Sequence, residues 1–152
     1  MSLKVDAKRL EALIAEIFAR GGCMRDEAER IAMRLMGANL TGHDSHGVIR
    51  TSRYMDWLSR GIFHAGRKVH IGLDTDALCI LDGQYGFGQT IGEQAVRLGL
   101  DKAAKSGAAV VALNNSGHLG RIGDWAEMAA EEGFVSIHFV NARGSVLVAP
   151  FG

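Results

Sequence analysis

The chain has 152 residues, 47% of them hydrophobic and 22% charged, which supplies a sizeable buried core and argues against a disordered chain. Its seventeen basic residues balance its seventeen acidic ones, so no net field recruits nucleic acid or an anionic membrane surface. Two cysteines are too few for a disulfide framework and read as reduced thiols. No stretch approaches the roughly 20 apolar residues of a membrane span, and the first six residues lack the apolar core of a signal peptide, so a cytoplasmic location is expected.

Over residues 6–20, Leu10, Leu13, Ile14, Ile17 and Phe18 recur at helical spacing, and Gly21-Gly22 supply a stop. The next run opens with Asp26 and Glu27, then sets Ala28, Ile31, Ala32, Leu35 and Met36 on one face before Gly37. Cys23 falls in the turn between these two helices. A short link through Thr41 and Gly42 leads to a third helix, capped by Ser45 and running to about residue 60. Links this short predict a three-helix bundle over residues 1–62.

That third helix carries chemistry. On it His46, Arg50 and Tyr54 stand at i, i+4 and i+8, successive members being only about 40° apart around the axis. An imidazole, a guanidinium and a phenol on one face can transfer a proton, fork onto a planar carboxylate and hold an oxygen, which suits a small hydroxy- or keto-acid. A surface helix with a polar stripe reads the same way.

Residues 63–152 change character and read as an α/β region. Val69, Ile71 and Leu73 alternate, Asp74-Thr75-Asp76 turns, and residues 77–81, with Cys79 among them, return as an apolar strand, predicting a β-hairpin. Gly83-Gln84-Tyr85-Gly86-Phe87-Gly88 reads as a loop. Thr90-Ile91-Gly92-Glu93 has capping-box spacing for a helix to Ser106, closed by Gly107. Residues 108–114 read as a buried strand, Ile122, Trp125, Ala126 and Ala129 as a helix ending at Gly133, and residues 134–140 as a further strand. This predicts a βαβ unit with parallel strands and a right-handed crossover. Its first strand ends at Asn115-Ser116-Gly117-His118-Leu119-Gly120, where ligand crevices open in α/β sheets. His118, between glycines on that loop, is therefore a second candidate site residue.

Other patterns point away from common chemistries. Gly86-Phe87-Gly88-Gln89-Thr90-Ile91-Gly92 reads GxGxxxG, not GxGxxG, and the following strand ends without an acid to hold a ribose, so tight-turn glycines explain it better than a Rossmann fingerprint. His43 and His46 beside Asp44 lack a glutamate or cysteine to complete a metal set, and no metal is expected. Asp44, Ser45 and His46 are adjacent and point in different directions, which rules against a hydrolytic triad. His64, His70 and His138 have no chemical neighbours and read as structural or exposed.

Gly42-His43-Asp44-Ser45-His46-Gly47-Val48 with Arg50 and Tyr54, Ser116-Gly117-His118-Leu119-Gly120, Ala126-Glu127-Met128-Ala129-Ala130 and Ala149-Pro150-Phe151-Gly152 together resemble the malate/L-lactate dehydrogenase family. That family also includes ureidoglycolate and sulfolactate dehydrogenases and diketogulonate and piperideine-carboxylate reductases. The resemblance implies NAD- or NADP-linked hydride transfer between a 2-hydroxy acid and its 2-keto acid, or a related imine, by a homodimer on a non-Rossmann dehydrogenase fold. Carried over by position, Ser45 and His46 match the family's DSHG site, Arg50 and Tyr54 its substrate contacts, and His118 the histidine often assigned as catalytic acid or base. Two departures stand out. Ala142 and Arg143 occupy positions where several members have a serine or threonine, and family members run to more than twice this length. The apolar ending Val146-Leu147-Val148-Ala149-Pro150-Phe151-Gly152 likewise reads as the front part of a longer chain. Most nucleotide-binding residues are then expected beyond Gly152, and the competing reading is a truncated, non-catalytic binding or dimerisation module.

Overall fold

The computed structural model describes residues 4–141. In chain order it contains α1 (Ala7–Arg20), α2 (Arg25–Leu40), a 3-10 turn (Asp44–His46), α3 (Arg50–Ser59), β1 (His70–Asp74), β2 (Leu78–Asp82), α4 (Gly88–Ser106), β3 (Val110–Asn114) and α5 (Gly123–Glu131). Asp6 caps α1 by accepting from the Arg9 amide at 2.9 Å, and the helix buries Ile14, Ala15 and Phe18. Leu13, expected on that face, is instead exposed. Helix α2 buries Ala28, Ile31, Ala32, Leu35 and Met36, and it continues past Gly37 to Leu40. Helix α3 adds Tyr54, with Met55, Trp57 and Leu58 packed alongside, so the three helices share one apolar core. Phe63 and Phe87 enter the same core from the α/β side.

The third helix departs from its sequence reading. Residues 45–60 are not one helix capped by Ser45, because the 3-10 turn ends at Gly47 and α3 begins only at Arg50. Asn39, near the end of α2, causes the break. Its Oδ1 accepts from the Val48 amide at 2.7 Å, its Nδ2 donates to Asp44 Oδ1 at 2.5 Å, and a Cβ at Gly47 would overlap its amide. The Val48 amide, which a continuous helix would use, is thus taken by a side chain from another helix.

The hairpin forms as expected, with β1 antiparallel to β2 and an irregular register between Ile71 and Leu73. The parallel pair is β2 and β3, joined by α4, in a sheet of order β1-β2-β3. The βαβ unit thus lies one step earlier in the chain than predicted. Residues 134–140 form no strand within the described chain, and Val135, Ile137 and Phe139 are exposed. Strand β3 is less buried than expected, since Val110, Ala112 and Asn114 are exposed at the sheet's end position. Helix α4 starts at Gly88 rather than after a Thr90 cap, and Thr90 Oγ1 has no partner. Glu93, the other half of the expected capping box, pairs instead with Arg30 of α2 at 3.2 Å and Arg97 at 3.1 Å. Gly107 closes α4 with φ +80°, a left-handed cap that glycine adopts without a Cβ penalty. Ala142 and Arg143, which stand where several family members have a serine or threonine, and the motif at 149–152 lie outside the described residues.

Candidate active site

Tyr54 lies at the centre of the site. Its ring is fully buried among Phe18, Trp57, Phe63 and Phe87, with ring centroids 5.8 to 6.4 Å away. Aromatic neighbours at such offsets fix a ring by packing and dispersion while leaving a phenol tip to seek a polar partner. Here the partner is His118, whose Nδ1 lies 2.7 Å from Tyr54 Oη.

His118 is carried by the loop after β3. That loop is pinned to the loop preceding α4 by three backbone bonds: Gly83 N to Asn114 O, Tyr85 N to Asn115 O and Gly117 N to Gly86 O, at 2.7 to 2.9 Å. Gln84, Tyr85 and Asn115 all take positive φ here, from 49° to 55°, a conformation that costs non-glycine residues and persists where surrounding bonds over-determine it. At Gly88 a Cβ would run into the His118 carbonyl, so the first turn of α4 and the His118 loop touch backbone to backbone.

Although the 3-10 turn takes His46 off the helix that carries Arg50 and Tyr54, it delivers the imidazole to the same place. The His46 and His118 rings stack with centroids 5.2 Å apart and planes inclined by 24°. Ser45 Oγ stands 2.9 Å from His46 Nδ1, so Ser45 holds a histidine rather than capping a helix. Arg50 donates through Nε to the Ser45 carbonyl at 2.5 Å. Among the described residues its terminal nitrogens enter no ion pair, which leaves the forked end of a guanidinium available to an anion.

The electrostatics are those of a partly dry cluster whose cation is Arg50. Burial, followed by the charges of Arg50 and His46, holds His118 down at about 4. His46 is also lowered, by burial first and then by Arg50 and His43. Both rings are therefore uncharged near neutral pH. Burial pushes Tyr54 up to about 12, against the opposing pull of the Gln89 hydrogen bond and the Arg50 charge, so the phenol keeps its proton.

A family profile described as Malate/L-lactate dehydrogenase matches residues 5–152. The chain belongs to the malate/L-lactate dehydrogenase family. It is 43% identical over 148 residues to hydroxycarboxylate dehydrogenase B of Escherichia coli K12, covering 97% of this chain and 41% of that protein. It is 36% identical to the malate dehydrogenase of Pyrococcus abyssi, covering 99% and 41% respectively. The solved malate dehydrogenase of Pyrococcus horikoshii OT3 superposes with a TM-score of 0.83 at 34% identity, over 86% of this chain and 38% of that one. The chain thus spans about two fifths of the length of the curated relatives it matches.

All five residues singled out from the sequence of this malate/L-lactate dehydrogenase family chain, Ser45, His46, Arg50, Tyr54 and His118, lie in one cluster. Gln89 was not among them. It is buried in the first turn of α4, and its Nε2 donates to Tyr54 Oη at 3.0 Å. A glutamine in the first turn of an otherwise small and apolar helix face, beside Ile91, Gly92 and Ala95, was its only trace in the sequence. His43 and His70 are exposed, His138 lies beside Ser136, and His64 serves through its backbone, bonding Tyr85. Among the described residues no three His, Cys, Asp or Glu side chains converge as metal ligands. Cavities of about 180 and 440 Å3 lie elsewhere, between the hairpin turn and Lys102 and Lys105.

The GxGxxxG glycines offer a nicotinamide dinucleotide no cradle. Added Cβ atoms would meet Ile91 at Gly86, the His118 carbonyl at Gly88 and the Trp125 ring at Gly92, so the chain itself fills each notch.

Proposed function

We propose that this chain carries the substrate side of an NAD- or NADP-dependent oxidoreductase that interconverts a small 2-hydroxy acid of the malate or lactate type and its 2-keto acid. The observation that carries the reading is the 2.7 Å Tyr54–His118 pair beside the unpaired fork of Arg50. Arg50 binds the substrate carboxylate in a bidentate pair. His118, with Nδ1 held by Tyr54, moves the substrate proton through Nε2, and His46, steadied by Ser45, orients the acid. A bound nicotinamide would supply the hydride partner. The names of the hydroxycarboxylate and malate dehydrogenase relatives support the reaction class.

The family resemblance also supports a homodimer, to which exposed Val135, Ile137 and Phe139 offer apolar contact area, and the balanced charge and reduced cysteines support a cytoplasmic location. The helices of residues 1–62 and the α/β region of residues 63–152 are proposed as its two structural parts. A second reading, a non-catalytic binding or dimerisation module, is favoured by the filled glycine notches.

The test is turnover of malate and lactate with either nucleotide, for wild type, His118→Asn and His46→Asn. His118→Asn is expected to lower kcat by roughly 100-fold or more and remove one limb of the pH profile, because general acid–base catalysis contributes on that scale. His46→Asn is expected to raise KM. Turnover unaltered by both substitutions would overturn the site assignment. Binding of a 2-keto acid with no turnover and no response to NADH or NADPH in fluorescence titrations would favour the module.

A further inference from the structure

We propose that Gln89 is a positioning residue whose amide, acting through Tyr54 Oη, decides which ring nitrogen of His118 carries the proton. Three side chains and one backbone amide meet here, in a line that is buried at Gln89 and half-buried at His118. Gln89 Nε2 donates to Tyr54 Oη at 3.0 Å, Tyr54 Oη lies 2.7 Å from His118 Nδ1, and the Gly120 amide also points at Nδ1, at 3.3 Å. A backbone N–H is always a donor, so Nδ1 is an acceptor in this arrangement. The Tyr54 hydroxyl, receiving from Gln89, gives its own proton to Nδ1, and the neutral ring carries its hydrogen on Nε2. That form suits a bound keto oxygen, which needs a donor.

Gln89 can also support the opposite polarity. Its Oε1 is buried without a partner. Rotation of the amide by half a turn presents that oxygen to Tyr54, whose hydroxyl then donates to Gln89 and accepts from His118 Nδ1–H, which frees the Nε2 lone pair for a substrate hydroxyl proton. Only the weak Gly120 contact is lost. The Nε2–H bond of His118 breaks as its proton passes to water at the half-buried ring, and an Nδ1–H bond forms with a proton returned from water, so the proton count of the three side chains stays the same. The charged and titratable groups facing His118 are Arg50, His46 and Tyr54, whereas Gln89 and Gly120 are neutral. The line is therefore steered by a group without charge, and the 1% exposure of Gln89 keeps water from substituting for it.

This inference deepens the function proposed above, but its test does not need turnover. Long-range proton–nitrogen NMR on the full chain reports the His118 tautomer and its titration midpoint. Wild type is expected to show hydrogen on Nε2. Gln89→Glu places an acceptor against Tyr54 and is expected to move the hydrogen to Nδ1 and raise the midpoint by roughly one pH unit. Gln89→Met removes the donor at similar volume and is expected to give a mixture of tautomers. Tyr54→Phe, which cuts the line, should make His118 insensitive to the residue at 89. Amide dispersion shows whether each variant folds, and Gln89→Met carries the test if the buried glutamate does not. Wild-type tautomer and midpoint in every folded Gln89 variant would overturn the inference. A shifted tautomer in a chain that turns over no hydroxy acid would leave it standing and overturn the proposed function instead.

Discussion

The low proton affinity of His118 makes stability depend on pH in a way that a single substitution should erase. Above pH 6.5, the ordinary histidine value, the ring is neutral in both folded and unfolded chains and contributes no pH dependence. As pH falls towards about 4, the unfolded chain binds a proton that the folded chain refuses, so unfolding becomes easier. Below that point the effect is constant. A gap of about 2.5 units at about 1.4 kcal/mol per unit sets a ceiling of about 3–4 kcal/mol. His118 keeps some solvent contact, and screening brings the expected loss to about 1–2 kcal/mol. Urea unfolding of wild type and His118→Asn, followed by circular dichroism between pH 4 and 7.5, measures it. Asparagine does not titrate, so the difference between the two proteins should be flat above pH 6.5 and shrink or invert below it, while every carboxylate common to both cancels. Loss of the Tyr54 hydrogen bond adds only a pH-independent offset. Parallel stability curves over the whole range would refute the argument that His118 is buried neutral.

Arg50→Lys keeps the charge and loses the fork, so in turnover assays the KM for the acid should rise about 10-fold or more with little change for the nucleotide, a charged hydrogen bond being worth about 1.5–3 kcal/mol; unchanged substrate kinetics would remove Arg50 from the carboxylate site. Gly88→Ala drives a Cβ into the His118 carbonyl and should lower stability by about 1–3 kcal/mol while displacing the His118 signals in NMR. Wild-type His118 shifts in that variant would contradict the close backbone approach. Glu27→Ala removes the buried carboxylate that accepts from the Gly66 amide at 2.7 Å and should cost about 1–3 kcal/mol in denaturant unfolding. An unchanged unfolding midpoint would mean that water replaces the carboxylate.

Where local pattern and chemistry act over a few residues, the sequence was sufficient. The apolar spacing of α1 and α2, the hairpin around Asp74-Thr75-Asp76 and the glycine stop at Gly107 each depend on neighbours within one or two turns, and they form much as read. Five residues with chemically able side chains were marked out by type and by a helix-face or loop setting, and the roles proposed for them rest on the cluster they form. Their assembly was decided elsewhere. Asn39 of α2 splits the third helix, so His46 arrives by a turn rather than by helical periodicity. Glu93 answers arginines on other turns and helices instead of capping α4. The separations of 64 positions from Tyr54 to His118 and of 35 from Tyr54 to Gln89 are closed by backbone bonds between loops and by an aromatic core drawn from four segments. Periodicity reports which face of an element is apolar, but it is silent on which distant polar atom will meet that element in the folded chain. The polarity of the Gln89–Tyr54–His118 line is a property of that meeting, because each hydrogen's direction is set by the next group along.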